Sequence, residues 1–99
     1  MSREATRTRV RLRGELDIAT AGAVAKRLAV LRERHESVLL DLDELTFIDA
    51  SGIRLVVDAA EASRRDGWAF AVTHGSWAVR RVLKLLELDK HLPYDGRPR

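Results

Sequence analysis

The chain has 99 residues, of which 45% are hydrophobic and 33% charged, a balance that fits one soluble domain with a modest core. It contains no cysteine, which excludes disulfides, cysteine-ligated zinc and thiol catalysis. The net charge of +3 gives little support for a nucleic-acid partner, because 18 basic residues are interspersed with 15 acidic ones. No apolar run reaches the length of a membrane span, and Met1–Glu4 lacks the apolar core of a signal peptide, so we expect a cytoplasmic protein without membrane insertion.

The first predicted element is a strand with arginine at every second position. Strict alternation over residues 7–13 predicts one buried face, and the strand is expected to continue towards Asp17. The outward positions share a positive charge: Arg7, Arg9, Arg11 and Arg13. We interpret this arginine stripe as a solvated outer face of the sheet. Contact with an acidic protein surface is the second interpretation, and nucleic acid is the third, because no aromatic residues interleave with the arginines.

Helices and strands alternate along the rest of the chain. Apolar residues at helical spacing predict three helices, over residues 19–34, 49–66 and 77–86. Short apolar runs predict the other extended segments, at residues 38–42, 46–48, 68–73 and 92–94. Asp43 and Glu44 are expected to form a turn. This order predicts an α/β domain whose functional residues gather at the carboxyl ends of the strands.

Three loops are expected to meet at that edge of the sheet, bringing together Asp17, Asp49, Ser51 and His74. We expect Asp49 to cap the second helix and either Asp17 or Thr20 to cap the first. Gly52 is expected to allow close packing where the second helix begins. Trp77 is expected to pack in the core or at its rim, and an exposed position there would suit a protein interface.

The residues do not indicate an enzyme. Asp49, Ser51 and His74 supply the residue types of a hydrolase triad, but a Gly-x-Ser-x-Gly motif and an oxyanion-hole glycine run are absent. The three histidines, His35, His74 and His91, lack the spacing of metal ligands, and there is no phosphate-binding glycine loop. We therefore expect a binding protein with no catalytic residues, no metal and no cofactor.

Three segments resemble the STAS domain family, and within it the anti-sigma-factor antagonists: Gly14 to Ala21, Leu40 to Ile53 and Ala78 to Asp89. The central segment is the most specific, and the match extends from about residue 7 to residue 95. The resemblance implies a single domain over residues 1–99. It also implies a single-layer mixed β-sheet of four to five strands, with helices packed mainly on one side.

The resemblance further implies a function. Similar proteins bind a serine-kinase-type anti-sigma factor and so release a sigma factor to RNA polymerase. The kinase switches them off by phosphorylating a serine at the start of the second long helix, and a serine phosphatase reverses this. By this resemblance, the partner-binding residues are Asp17, Thr20, Asp49, Ala50, Ser51, Gly52 and Arg54.

One residue departs from the family pattern. The usual phosphoacceptor position, directly after the aspartate, is Ala50, which has no hydroxyl. Ser51 is therefore the candidate acceptor; otherwise phosphorylation has been lost, or Ser51 only helps to cap the helix. An alternative function is a STAS-like accessory subunit of a transport or stress-signalling complex without a phospho-switch. A small basic nucleic-acid binder is the third hypothesis.

Overall fold

The computed structural model describes residues 7–96, in which strands and helices alternate. The elements in chain order are β1 Thr8–Leu16, α1 Ala21–Glu33, β2 Val38–Ile48, α2 Ala50–Asp66, β3 Phe70–Val72 and α3 Trp77–Leu85. The three helices agree with the predicted ones to within two residues at each end. Gly67 ends α2 in the left-handed conformation, at φ 71°, which glycine adopts without strain.

The sheet is smaller than expected. Its order is β1-β2-β3, and both neighbouring pairs are parallel. The expected mixed sheet of four to five strands is therefore wrong for residues 7–96, which form three parallel strands. The edge strand expected at residues 92–94 is reduced to one isolated bridge between Val72 and Tyr94. Pro93 explains this in part, since it has no N–H to donate to a ladder.

β2 runs through the residues that were expected to form a turn. Its pairing with β1 slips twice, between Arg11 and Arg13 and again between Gly14 and Glu15. At each slip β2 contains one residue more than β1, so the extra residues are absorbed as bulges and the chain does not reverse. Asp43 and Glu44 consequently lie exposed within a continuous strand, and the predicted turn is wrong.

One apolar cluster joins the sheet to all three helices. The sheet contributes alternate residues of β2: Val38, Leu40 and Leu42. The helices contribute Leu28 and Leu31 from α1, Ile53 and Val56 from α2, and Val79 and Leu83 from α3. Because all these side chains share one cluster, the helices pack over the same face of the sheet. None of the helices within residues 7–96 is both long and apolar enough to cross a bilayer.

The opposite face of the sheet carries the arginine stripe, and its charges are paired within the chain. Asp41 is buried beneath it and accepts a hydrogen bond from Arg9 Nε at 2.9 Å. Arg11 and Arg13 pair with Glu44 at 3.4 and 3.3 Å. Arg7 pairs with Asp95 at 3.0 Å. The arginines remain partly exposed, as the first interpretation expected, and the acidic partners relieve their mutual repulsion.

Asp41 makes the stability of the fold depend on pH. Burial alone would raise its pKa, but the hydrogen bonds from the Asp43 N–H and from Arg9, with the charges of Arg9 and Arg11, outweigh burial and hold the pKa below 3.8. A carboxylate whose pKa is lowered by folding stabilises the fold above its unfolded pKa. That contribution is lost as the pH falls through the folded-state pKa.

We expect Asp41→Asn to lower the free energy of unfolding at pH 7 by roughly 1–3 kcal/mol, since two arginines lose a buried anionic partner. The difference from the unsubstituted chain should shrink below pH 3.8, as Asp41 itself becomes protonated. Urea unfolding at pH 7 and pH 3 measures both effects. Glu44→Gln is the control, because its half-exposed pairs contribute at most about 1 kcal/mol. Equal losses in the two variants would contradict this role of Asp41.

Candidate functional site

The carboxyl ends of β1 and β2 meet at the start of α2. Leu16 and Ile48 form the last pair of the two strands. Beyond that pair, the Asp49 N–H donates to the Leu16 carbonyl at 3.2 Å, and the Ile18 N–H donates to Asp49 Oδ2 at 3.3 Å. The loop after β1 and the start of α2 are therefore hydrogen-bonded to each other, and the predicted approach of Asp17 and Asp49 is confirmed.

Asp49 is the N-cap of α2, as predicted. Its Oδ1 accepts a hydrogen bond from the Gly52 N–H at 3.1 Å, which satisfies a backbone donor that has no partner within the helix. Its other carboxylate oxygen holds the loop after β1. One side chain thus fixes the helix start and the neighbouring loop together.

Asp17 and Thr20 build a tight turn before α1. Asp17 Oδ1 accepts hydrogen bonds from the N–H groups of Ala19 and Thr20, at 3.0 and 3.1 Å. The Thr20 hydroxyl donates to the Glu15 carbonyl at 3.0 Å and accepts from the Asp17 N–H at 2.9 Å. Thr20 occupies the N-cap position, but no side chain caps α1. The prediction that Asp17 or Thr20 caps this helix is wrong, because both side chains bond within the turn.

Gly52 lies where α2 presses on the end of β1. A Cβ at this position would be 2.6 Å from the Leu16 carbonyl oxygen and 2.8 Å from Ile48 Cγ1, both far inside contact distance. The predicted close packing is confirmed. The resemblance also places Gly52 in the partner surface, but the residue is buried and acts by letting the helix start reach the sheet.

Ala50 and Ser51 have different surroundings although they are adjacent. Ala50 is the exposed first residue of α2. Ser51 is half-buried and lines a groove of about 360 Å³ between α1 and α2, as does exposed Arg54. The groove is walled mainly by small and apolar side chains of the two helices. Ser51 is therefore not a positional substitute for Ala50, because the two residues face different surfaces.

His74 does not reach this edge. Ladder pairing of β3 involves only Val38–Leu40 of β2, and the Ser76 N–H donates to the Leu42 carbonyl at 3.1 Å. The loop containing His74 thus lies near Leu42 and Asp43, since the Gly75 N–H donates to Asp43 Oδ1 at 3.1 Å, and Asp43 is five residues before Ile48. The prediction that His74 joins Asp49 and Ser51 is wrong, since β3 is much shorter than β2. The His74 ring instead packs against Tyr94, with centroids 4.6 Å apart.

The edge also carries apolar side chains that the sequence reasoning missed. Ile18 is 81% exposed and Phe47 is 48% exposed. Phe47 is paired with Glu15 and points to the open face of the sheet, because their neighbours Ile48 and Leu16 point into the core, whereas Ile18 is bonded to Asp49 just beyond the strand ends. We call this end of the sheet the Asp49 edge: Glu15, Asp17, Ile18, Phe47, Asp49 and Ala50. Ile18 was overlooked because it stands alone in a loop, outside any helical or strand periodicity.

Trp77 is a second exposed apolar residue, at the start of α3. It is 74% exposed, so the expectation of core or rim packing is wrong and the alternative of an exposed position holds. The Arg81 guanidinium lies 5.4 Å from the centre of its ring. Among the described residues, no group of three or more histidine and acidic side chains is arranged to hold a metal ion.

The fold and the Asp49 edge define a small α/β protein with exposed apolar and acidic residues at the carboxyl ends of β1 and β2. The sequence matches the STAS domain family over residues 3–96, and the chain belongs to that family. It is 34% identical over 90 residues to a Paenibacillus polymyxa protein named "Anti-sigma F factor antagonist", and the match covers 88% of this chain and 77% of that protein.

Solved structures share the fold. An anti-sigma factor antagonist from Mycobacterium paratuberculosis superposes with a TM-score of 0.78 at 25% identity, over 92% of this chain and 79% of that one. The anti-sigma factor antagonist SpoIIAA in its unphosphorylated form superposes with a TM-score of 0.69, over 95% of this chain and 82% of that one. Its identity is 18%, so this second likeness concerns the fold alone.

The contact at Gly52 can be tested by unfolding. We expect Gly52→Ala to lower the free energy of unfolding by about 1–3 kcal/mol, because the added methyl group overlaps a backbone oxygen that cannot move freely. Gly22→Ala is the matched control: it adds the same group to an exposed position of α1 with nothing within 4 Å, and should stabilise the chain by up to about 1 kcal/mol. Urea denaturation compares the two, and a neutral Gly52→Ala would refute the tight contact.

Proposed function

We propose that this chain is an anti-sigma-factor antagonist that binds a serine-kinase-type anti-sigma factor through the Asp49 edge and so releases a sigma factor. The observation that carries the proposal is the exposed, hydrogen-bonded edge around Asp49, in a chain 34% identical to a protein named as such an antagonist. Residues 7–95 would act as one binding domain in the cytoplasm, without catalysis or a cofactor.

The chemistry of the edge indicates what the partner must present. Ile18 and Phe47 offer apolar surface, while Asp17 and Asp49 offer carboxylates beside it. A complementary surface would have an apolar socket with arginine or lysine around it. Because the turn and helix start are already held by hydrogen bonds, little order has to be gained on binding.

We propose Ser51 as the phosphoacceptor, if this antagonist keeps the family's switch. Phosphate at Ser51 would lie in the first turn of α2, close to unpaired backbone N–H groups and the positive end of the helix dipole. Arg54 follows three residues later on the same helix and is exposed. A phosphate would add nearly two negative charges at the mouth of the α1–α2 groove, beside the Asp49 edge. A partner suited to the neutral serine would bind it less well.

Ala50 supports the second candidate, an accessory binding subunit without a phospho-switch. The exposed first position of α2 has no hydroxyl, and Ser51 is partly withdrawn into the groove. Such a subunit would use the same edge, but no kinase would modify it.

We expect Ile18→Arg to weaken binding of the cognate anti-sigma kinase by about tenfold or more, because it puts a charge into the apolar centre of the edge. Val30→Arg is the matched control, since it adds the same charge at an exposed aliphatic residue of α1. Isothermal titration of each purified variant with the kinase measures the affinities. Equal affinities would remove the Asp49 edge from the interface, and no complex with any such kinase of the source organism would overturn the function.

Intact mass after incubation with kinase and ATP tests the acceptor. We expect one phosphate on the unsubstituted chain and none on Ser51→Ala. The double variant Ala50→Ser with Ser51→Ala moves the hydroxyl to the position that is usual in the family. A phosphate on this variant shows that the kinase can modify that position. A phosphate that persists on Ser51→Ala shows that another residue is the acceptor. A kinase that binds the unsubstituted chain but leaves it unmodified shows that partner binding is kept and phosphorylation has been lost.

A further inference from the structure

The exposed side of α3 carries apolar and basic residues together. Trp77 and Leu85 are 74% and 73% exposed, and Arg81 lies between them at four-residue spacing, which places the three on one side of the helix. Arg80 and Lys84 are exposed next to them. We call this surface the basic face: Trp77, Arg80, Arg81, Lys84 and Leu85.

The charges of α3 are not balanced within the helix. It contains three cations and no acidic residue, and the next acidic residues, Glu87 and Asp89, follow its end. None of the ion pairs found within residues 7–96 includes Arg80, Arg81 or Lys84, whereas all four stripe arginines are paired. An apolar surface with three cations outside the described ion pairs favours an acidic partner surface that also has apolar side chains.

The Asp49 edge of the same protein has that complementary composition. Glu15, Asp17 and Asp49 provide the carboxylates, and Ile18 and Phe47 provide the apolar contacts. Of the six large apolar residues that are strongly exposed, four lie on these two surfaces. The two most exposed after Ile18, Trp77 and Leu85, are both on the basic face.

The two surfaces lie apart within one molecule. α3 begins after Ser76, which is bonded to Leu42, whereas the Asp49 edge begins at Phe47, five residues later along β2. We propose that the basic face of one copy binds the Asp49 edge of a second copy, head to tail. Two different surfaces meet in such a contact, so it can extend into short chains of molecules. The self-contact would cover the same edge that we propose for the anti-sigma factor. Self-association and binding of the anti-sigma factor would then exclude each other. The self-contact itself does not depend on the proposed function.

The contact is small. α3 has nine residues and is about 13 Å long. An interface centred on it falls below the roughly 1,200 Å² of stable complexes, so association is expected only at high concentration, above about 100 μM. Because ion pairs contribute, it should weaken in 0.5 M salt.

Sedimentation velocity of two complementary variants tests the proposal. The first reverses the basic face with Arg80→Glu, Arg81→Glu and Lys84→Glu. The second alters the edge with Glu15→Arg and Ile18→Arg, exposed residues whose side chains hold no part of the turn. Each variant alone should stay monomeric where the unsubstituted chain associates. Their mixture should form a heterodimer, because each supplies the surface that the other lacks.

The matched control is Lys26→Glu, Arg27→Glu and Arg34→Glu, which makes the same three reversals on exposed residues of α1 and should leave self-association unchanged. The proposal is overturned if the unsubstituted chain stays monomeric, if the mixed variants do not associate, or if the chain stays monomeric but binds anionic vesicles through Trp77. The basic-face variant keeps its Asp49 edge, so its affinity for the anti-sigma kinase separately tests the proposed function.

Discussion

The start of α2 lies on the end of β1 at a distance that only glycine permits, and the rest of the site follows from that contact. With Gly52 against the Leu16 carbonyl, the carboxylate of Asp49 reaches both the helix start and the loop after β1. The loop in turn holds Ile18 outwards, with its backbone bonded and its side chain in solvent. A bulkier residue at position 52 would push the start of α2 away from the loop after β1 and weaken the hydrogen bond that joins them.

Surface charges fall into two groups, those that form ion pairs within the chain and those that do not. The open face of the sheet holds the densest positive charge of the sequence, yet Asp41, Glu44 and Asp95 pair with it inside the chain. The carboxylates of the Asp49 edge and the cations of α3 have no such partners in the ion pairs within residues 7–96. The arginine stripe, the densest positive charge in the sequence, is therefore largely paired within the chain.

Membership of the STAS family and the design of the switch are separate questions in this chain. The packing of Asp49 and Gly52 is independent of which neighbouring residue carries a hydroxyl. Ala50 faces solvent and Ser51 faces the groove, so moving the acceptor by one position changes which surface a phosphate would disturb. In the proposed function, partner binding would use the edge alone, whereas control by phosphorylation would also require a kinase that reaches Ser51.

Helix positions, the Asp49 cap and the need for glycine at position 52 were readable from the residues, because periodicity, capping and close packing leave local signals. The family motif located the edge for the same reason. Pairing between distant segments decided the remainder: two bulges kept Asp43 and Glu44 within β2, and a three-residue β3 left His74 far from Asp49. Strand register and strand length depend on the neighbouring strand. The sequence of one segment does not specify which segment it will pair with, or in which register. The exposure of Ile18 and Trp77 likewise depends on tertiary packing, which their local sequence does not determine.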